Sequence, residues 1–375
     1  MSKPEISLLV STYQRPAHLE RALASIALQE GVADEMEVVV TDDGSTDETS
    51  SIVRRFAESA SFPVKFTTHP HEAFQLSRCR NEGVAASEAP YLLFLDGDCI
   101  LPPDHVRIHL ERRRPNTVMA GACLRLEKEA SDTVTVETIG SGEFMRLGSP
   151  KEKRWLAKLR RQGWFYEAIN HPTKPRLFGN NIGIWRDDYE RVNGYDERFE
   201  GWGCEDDDLR LRLRRAGVRI RSILGHTFTY HLWHPNESTN PTHWRQGPNV
   251  AYLRRAARLT RCRNGLVKRG IDDVRVTVAS SAEQSVPLHR LLPPEVEPGA
   301  LEGANPEVEL LVLPGDGSFE TNADARLLVV LDQCRQARKL AREAHLVLSD
   351  VPIGKLSDGE QLPLERLDWV LREFL

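Results

Sequence analysis

The sequence has no apolar run near the roughly 18 residues that a membrane span requires. Its opening, MSKPEISLLVSTYQRP, passes from one lysine into a short apolar run with no small-residue cleavage site behind it. That reads as a buried strand and not as a leader peptide. CxxC pairs are missing too. Cys79, Cys99, Cys123, Cys204, Cys262 and Cys334 are scattered, so neither a zinc site nor a disulfide framework is expected, and a reducing cytoplasm is the simplest setting. No GxGxxG follows the first strand and no GxxxxGK[ST] occurs anywhere, which disfavours a dinucleotide site and a P-loop. With a formal net charge of -5 the chain also lacks the basic surface that nucleic-acid phosphates demand.

What is present describes a water-soluble globular protein: 40% hydrophobic residues and a mean hydropathy of -0.43. At 375 residues the chain exceeds a usual single domain, so one large α/β unit plus a smaller one is expected. The first hundred residues alternate strand and helix signals as in a doubly wound, mostly parallel sheet flanked by helices. ISLLVST (6–12), MEVVVTD (36–42), VKFTT (64–68) and YLLFLD (91–96) read as strands. Between them, Pro16 opens a helix with Leu19, Leu23 and Ile26 on one face, Ser45 and Glu48 have capping-box spacing, and residues 74–87 form a third helix. After VMAGACLRL (118–126) the alternation fades, and 127–178 reads as a long irregular insertion. GNNIGIWR reads as turn-rich; a helix near 187–192, an acid-capped helix in GWGCEDDDLRLRLRRAG and a strand at 219–225 follow. Composition shifts again near 270, so 1–268 is expected to be one domain, with halves of about 1–126 and 127–268, and 269–375 a small α/β domain in which ADARLLVVLDQCRQARKLAREA is a helix. Charge is uneven: 253–269 holds seven Lys or Arg and no acid. It reads as a solvated helix face, or as a patch toward anionic lipid or glycan.

Four constellations carry chemistry. DGD at 96–98 ends a hydrophobic strand, where ligands of open α/β sheets bind, and two carboxylates one residue apart suit Mg2+ or Mn2+. TDDGSTD ends another strand; Asp42 and Asp43 there either accept from a base or ribose or cap the next helix. In GWGCEDDD (201–208) four acids favour a helix start, and a tryptophan between glycines beside them suits stacking on a sugar ring, with one carboxylate as general base. In YHLWHPNE, His231 or His234 completes a metal shell begun by Asp98.

In this order and spacing, ISLLVSTYQRP, VVVTDDGSTD, SRCRNEG, LFLDGD, GNNIGIWR, GWGCEDDDLRLRLRRAG and YHLWHPNE resemble family 2 glycosyltransferases of the GT-A fold, in the subgroup with a galactosyltransferase-like C-terminal segment. The resemblance spans about 4–260 and leaves 270–375 without a family. It implies an inverting transfer from a nucleotide-sugar, with uridine the expected base, to a carbohydrate or lipid-linked glycan in cell-surface polysaccharide or lipopolysaccharide synthesis. It implies donor contacts at Ser11, Thr12, Tyr13, Arg15, Asp43, Arg80, Asp96 and Gly97, and acceptor contacts at Asn180, Trp202 and Asp207. Asp206 is implied as the catalytic base beside Glu205, with Asp98, Asp96, His231 and His234 around Mn2+ or Mg2+. The basic stretches 153–161 and 253–269 fit peripheral contact with the inner face of a membrane. Two rival classes remain: a GT-A module that binds glycan or a partner without turnover, against which intact DGD, EDDD and HLWH count, and a sugar nucleotidyltransferase, which has no use for GWGCED.

Overall fold

The computed structural model describes residues 3–235, 247–253, 259–271, 273, 275–278, 292–296, 307–313, 318–319, 323–353 and 361–374. Asn236 and Glu237 of YHLWHPNE, and residues 254–258 of the basic stretch, lie outside the described residues. The chain divides into two compact units, Met1–Val250 and Ala251–Leu375. Composition placed the boundary at 268/269.

In the first unit β1 (Ile6–Thr12), α1 (Pro16–Ala27), β2 (Met36–Asp42), α2 (Thr49–Ser59), β3 (Val64–Thr68), α3 (Leu76–Ala86) and β4 (Tyr91–Asp96) alternate as expected. β1 lies in register between β2 and β4, all parallel, with Ser11 opposite Thr41 and Asp96. Every residue of β1 and β2 is buried, which is why they read as apolar runs and not as alternating strands. Leu19, Leu23 and Ile26 of α1 pack into the core on one side of this sheet. The capping box expected at α2 does not form. Ser45 turns back instead, its N and Oγ both donating to the Asp42 carboxylate, and Asp47 Oδ1 accepts from Thr49 N and Oγ1.

β5 (Cys99–Ile100), α4 (His105–Arg112), β6 (Thr117–Ala120) and β7 (Cys123–Arg125) follow. The run 118–126 is thus two strands in two sheets, broken at Gly121, where a Cβ would overlap the Asn181 side chain. The stretch 127–178 is not irregular throughout. It holds α5 (Lys128–Asp132), α6 (Val136–Gly140) and the 19-residue α7 (Pro150–Ala168), which Ser149 caps by accepting from Glu152 N. The helical pattern was hidden because α7 buries only Leu156 and Gly163 and leaves aromatic residues exposed on its outer face. Turn-rich GNNIGIWR is β8 (Asn181–Trp185), antiparallel to both β4 and β6. α8 (Arg186–Arg191), α9 (Glu205–Arg215), β9 (Arg219–Ser222) and β10 (Thr229–His231) follow, and the main sheet of the unit runs β3-β2-β1-β4-β8-β6-β9 beside a small sheet β5-β10-β7.

The second unit holds a parallel sheet ordered β11 (Val276–Val278), β12 (Val308–Leu313), β13 (Ala325–Val330), β14 (Leu346–Ser349), β15 (Gln361–Leu362). The helix expected over 323–344 is a correction: ARLLVV is central strand β13, paired on both sides, and only Ala337–Leu340 is helical there. A short apolar run has no period to tell strand from buried helix, and its branched residues fit the strand. Among the described residues no helix is long and apolar enough to cross a membrane.

Candidate active site

The DGD turn is tight because its middle residue is glycine. Gly97 N donates to Ser11 O at 2.8 Å, and a Cβ at Gly97 would lie 3.0 Å from Thr12 Cβ. Asp96 and Asp98 then meet different partners. β5 pairs antiparallel with β10, Cys99 opposite His231, and Leu232 N donates to Asp98 O at 2.9 Å. This ladder brings His231 Nε2 to 3.4 Å and His234 Nε2 to 3.2 Å from the Asp98 carboxylate, with Arg15 Nη1 at 3.3 Å. Burial by itself pushes the Asp98 carboxyl up, yet His231, His234 and Arg15 hold it well below the usual carboxylate range. Burial lowers His231 in turn, and the charges of Asp98, Cys123 and Asp96 more than reverse that, so its net shift is upward. One ligand atom each from Asp98, His231 and His234 lies within 4.8 Å of the others, a donor set that fits a Mn2+-like cation. Asp96 is not in that group.

Asp96 belongs to a second cluster around Arg80, which α3 buries almost fully. The guanidinium reaches Asp206 Oδ1 at 3.0 Å, Asp96 Oδ1 at 3.4 Å and Glu205 Oε1 at 3.8 Å, and lies 4.8 Å over the Tyr195 ring. Burial works against this cation, but Tyr195, Asp206, Asp96 and Glu205 together raise its pKa further. Asp206 also accepts from Tyr195 Oη at 2.8 Å and from Gly179 N at 2.8 Å. Burial pushes the Asp96 carboxyl up; Arg80 and His231 oppose this, and Asp98 and Asp206 add to it. Asp96 therefore feels charges of both clusters and joins them electrostatically.

The four acids of α9 divide by helix face. Glu205 and Asp206 serve Arg80, whereas Asp207 accepts from Arg210 at 2.8 Å and Asp208 from Arg212 at 2.7 Å, three and four residues on. Asp207, expected at the acceptor, is thus engaged on its own helix. Ahead of α9, Gly201, Gly203 and the N-cap Cys204 all have left-handed backbone (φ 73, 97 and 78), which sets the helix start against Arg80 and leaves Trp202 39% exposed. Asn180 donates to Cys123 Sγ at 3.3 Å, while its buried Oδ1 has no hydrogen-bond partner among the described residues.

A third group gathers around Asp43. Tyr13 stacks on His71 with ring centroids 4.2 Å apart. Asp43 Oδ1 meets His69 Nε2 at 2.9 Å, Oδ2 accepts from Gln75 N at 3.1 Å, and Glu82 Oε2 meets His69 Nδ1 at 2.8 Å. Ser11 Oγ lies 3.3 Å from Thr41 Oγ1 behind them. Asp43, His69 and Cys79 are close enough to share an ion, but burial and the nearby carboxylates drive the Cys79 thiol well up, which disfavours the thiolate that a metal takes. Sequence reasoning missed Tyr195, Gly179, His69 and His71. Asn193 and Gly194 announce a turn before Tyr195, with φ 62 and 71, but nothing local reveals its reach to Asp206.

Two consequences are testable. A Cβ at Gly179 would overlap the Arg80 guanidinium. Gly179→Ala is expected to lower stability by about 1–3 kcal/mol, the usual cost of overpacking, because Arg80 is displaced from its three acids; thermal melts check this. Burial and the Asp206 charge push the Glu205 carboxyl up to about 7, against Arg80. A folded pKa above the unfolded value contributes stability that is fully present below about 4.5 and is lost as pH rises through about 7. Glu205→Gln, which cannot ionise, should therefore melt higher than the parent at alkaline pH in EDTA, by a few kcal/mol in stability, and lose that advantage under acid. Equal differences at both pH values would contradict the assignment.

Carboxylates, a buried arginine and two histidines thus gather over one end of a doubly wound sheet. Residues 7–169 match Glycosyl transferase family 2, and 170–235 match the N-terminal domain of galactosyltransferase. The chain is 29% identical over 242 residues to validoxylamine A glucosyltransferase of Streptomyces hygroscopicus subsp. jinggangensis, covering 57% of this chain and 52% of that protein. It is 25% identical over 258 residues to chondroitin synthase of Escherichia coli, covering 65% of this chain and 37% of that protein. A mannosyltransferase of Pyrobaculum calidifontis, solved with GDP-Man and Mn2+, aligns with a TM-score of 0.44 at 17% identity, over 64% of this chain and 59% of that one. Residues 7–169 thus carry a glycosyltransferase family 2 domain, and the chain spans about half the length, or less, of these curated relatives.

Proposed function

We propose that this chain is an inverting, metal-dependent glycosyltransferase that moves a sugar from a UDP-sugar onto a carbohydrate or lipid-linked glycan in cell-surface polysaccharide or lipopolysaccharide synthesis. The observation that supports it most is the meeting, at the ends of β1 and β4, of the Asp98, His231, His234 donor set with the cluster of Arg80, Asp96, Glu205 and Asp206. Tyr13 and Asp43 offer a flat ring and an acceptor oxygen for the base, with Ser11 and Thr12 beneath. A Mn2+ or Mg2+ ion held by Asp98, His231 and His234, with Asp96 beside them, would neutralise charge on the departing diphosphate. Asp206 takes the proton of the acceptor hydroxyl as its oxygen bonds to the anomeric carbon and the bond to the nucleotide diphosphate breaks. Arg80, Tyr195 and Gly179 hold that carboxylate in place. Trp202 and Asn180 orient the acceptor, and Asp207, whose Oδ1 Arg210 holds, would contribute Oδ2. The second unit, about 269–375 by composition, is an accessory domain outside the chemistry.

The test is incubation with a panel of UDP- and GDP-sugars and Mn2+ or Mg2+, scored by nucleotide release with and without glycan acceptors. Release of UDP from one sugar above all others is the expected result. No turnover of any nucleotide-sugar, with UDP failing to bind, would overturn the reading.

A further inference from the structure

The outward face of α7 has an unusual make-up for a helix that merely meets water. Lys151, Arg154, Lys158 and Arg161 follow one another along it at helical spacing, all exposed. Among the described residues none of the four has an ion pair, and that face carries no carboxylate. The acids of the helix lie elsewhere: Glu152 is partly covered, and Glu167 Oε1 accepts from Ser222 N at 2.6 Å. A solvated face commonly mixes both signs of charge. The C-terminal turns of the same helix then expose Trp164 at 74%, Phe165 at 53% and Ile169 at 52%. Next to them a cleft of about 300 Å³ is lined by Tyr166, Glu167 and Asn170 together with Arg214, Arg219 and Arg221. Arg219 and Arg221 also line a second cleft, of about 260 Å³, with Arg114. Both clefts lie at edge strand β9, three strands from β4 and so about 14 Å away along the sheet, at the usual strand spacing.

We propose that this face of α7, with Arg219 and Arg221, docks the chain on an anionic lipid bilayer. Tryptophan and phenylalanine flanked by cations favour the membrane interface, where the rings enter the acyl boundary and the cations meet lipid phosphates. The division along α7 fits this, with a cationic first half for the headgroups and an aromatic end to enter between them. Gly163 allows it, because the absence of a side chain lets α7 lie close against β9; a Cβ there would come within 2.6 Å of Ser222 Cβ. The inference does not depend on the proposed chemistry, since docking needs no donor, metal or turnover.

The full chain is sedimented with vesicles of phosphatidylglycerol and phosphatidylcholine and with pure phosphatidylcholine vesicles, without nucleotide. Binding to the anionic vesicles alone, weakened by salt, is expected. Each basic residue near such a surface is worth about fivefold in partition, so the double variant Lys158→Ala, Arg161→Ala should bind about 25-fold more weakly. Trp164→Ala should also weaken binding but leave its salt dependence unchanged. All these residues are exposed, and unchanged thermal melts verify the fold. No sedimentation with anionic vesicles overturns the proposal, as does binding that all the variants retain. Capture by a soluble anionic polysaccharide without any by vesicles also overturns it and assigns the face to glycan.

Discussion

Asp98→Ala is expected to abolish transfer, by about 10³-fold or more, the scale of several kcal/mol that a catalytic metal supplies. The change leaves two histidines without the carboxylate they converge on, Nε2 atoms 3.4 and 3.2 Å away. Two imidazoles alone bind a hard cation poorly, so added Mn2+ or Mg2+ should not restore the rate. The fold should survive, because the link between β10 and the DGD turn runs through backbone. Leu232 N donates to the Asp98 carbonyl, and His231 pairs with Cys99, whatever the side chain at 98. Calorimetric titration with Mn2+ and far-UV circular dichroism separate the two effects: ion binding lost, spectrum kept. EDTA should silence the parent chain in the same way. A parent fully active in EDTA, or a variant that still turns over, would remove the metal from the proposal. His231→Ala and His234→Ala, each alone, should weaken the ion less, since one imidazole and the carboxylate remain.

The sequence announces β1, β2 and β4 clearly because strands buried on both faces become continuous apolar runs, and their polar ends mark where a ligand enters. DGD could be singled out for the same reason, as charge placed where a strand ends, EDDD as acids at a helix start, and HLWH as two histidines able to complete a metal shell. What joins them is not local. Asp98 and His231 meet through a two-strand ladder between residues more than a hundred positions apart, and no spacing encodes that. Arg80 was legible only as a residue of SRCRNEG. That it is buried among three acids, under the ring of Tyr195 and against Gly179, depends on packing among α3, α9 and the chain before β8. α7 escaped notice because its exposed aromatic end breaks the amphipathic pattern. If that end docks on a bilayer, the same feature that hid the helix is its purpose.

Asp206→Asn should cut transfer by roughly 10²-fold to 10⁴-fold, the usual range for a general base. In this site the substitution does more than remove basicity. The carboxylate accepts from Arg80 Nη1, Tyr195 Oη and Gly179 N, so an amide in its place turns an NH2 toward donors on one side. Arg80, buried among the acids, loses one anionic partner while Asp96 and Glu205 remain. Nucleotide affinity should persist, because Tyr13 and Asp43 stand on the ends of β1 and β2, away from α9. Glu205 is the competing base. Burial pushes its carboxyl up to about 7, and its contact with Arg80 is long at 3.8 Å. Three donors, Arg80 Nη1, Tyr195 Oη and Gly179 N, aim the Asp206 carboxylate. Paired variants decide between the two carboxylates. With Asp206 as the base, Asp206→Asn loses transfer and Glu205→Gln keeps most of it. If Glu205→Gln loses transfer while Asp206→Asn stays within tenfold of the parent, the proton goes to Glu205 and Asp206 positions Arg80. A pH profile of the transfer rate in each variant gives an independent check, since loss of an ascending limb near pH 7 in Glu205→Gln alone marks that carboxylate as the titrating group.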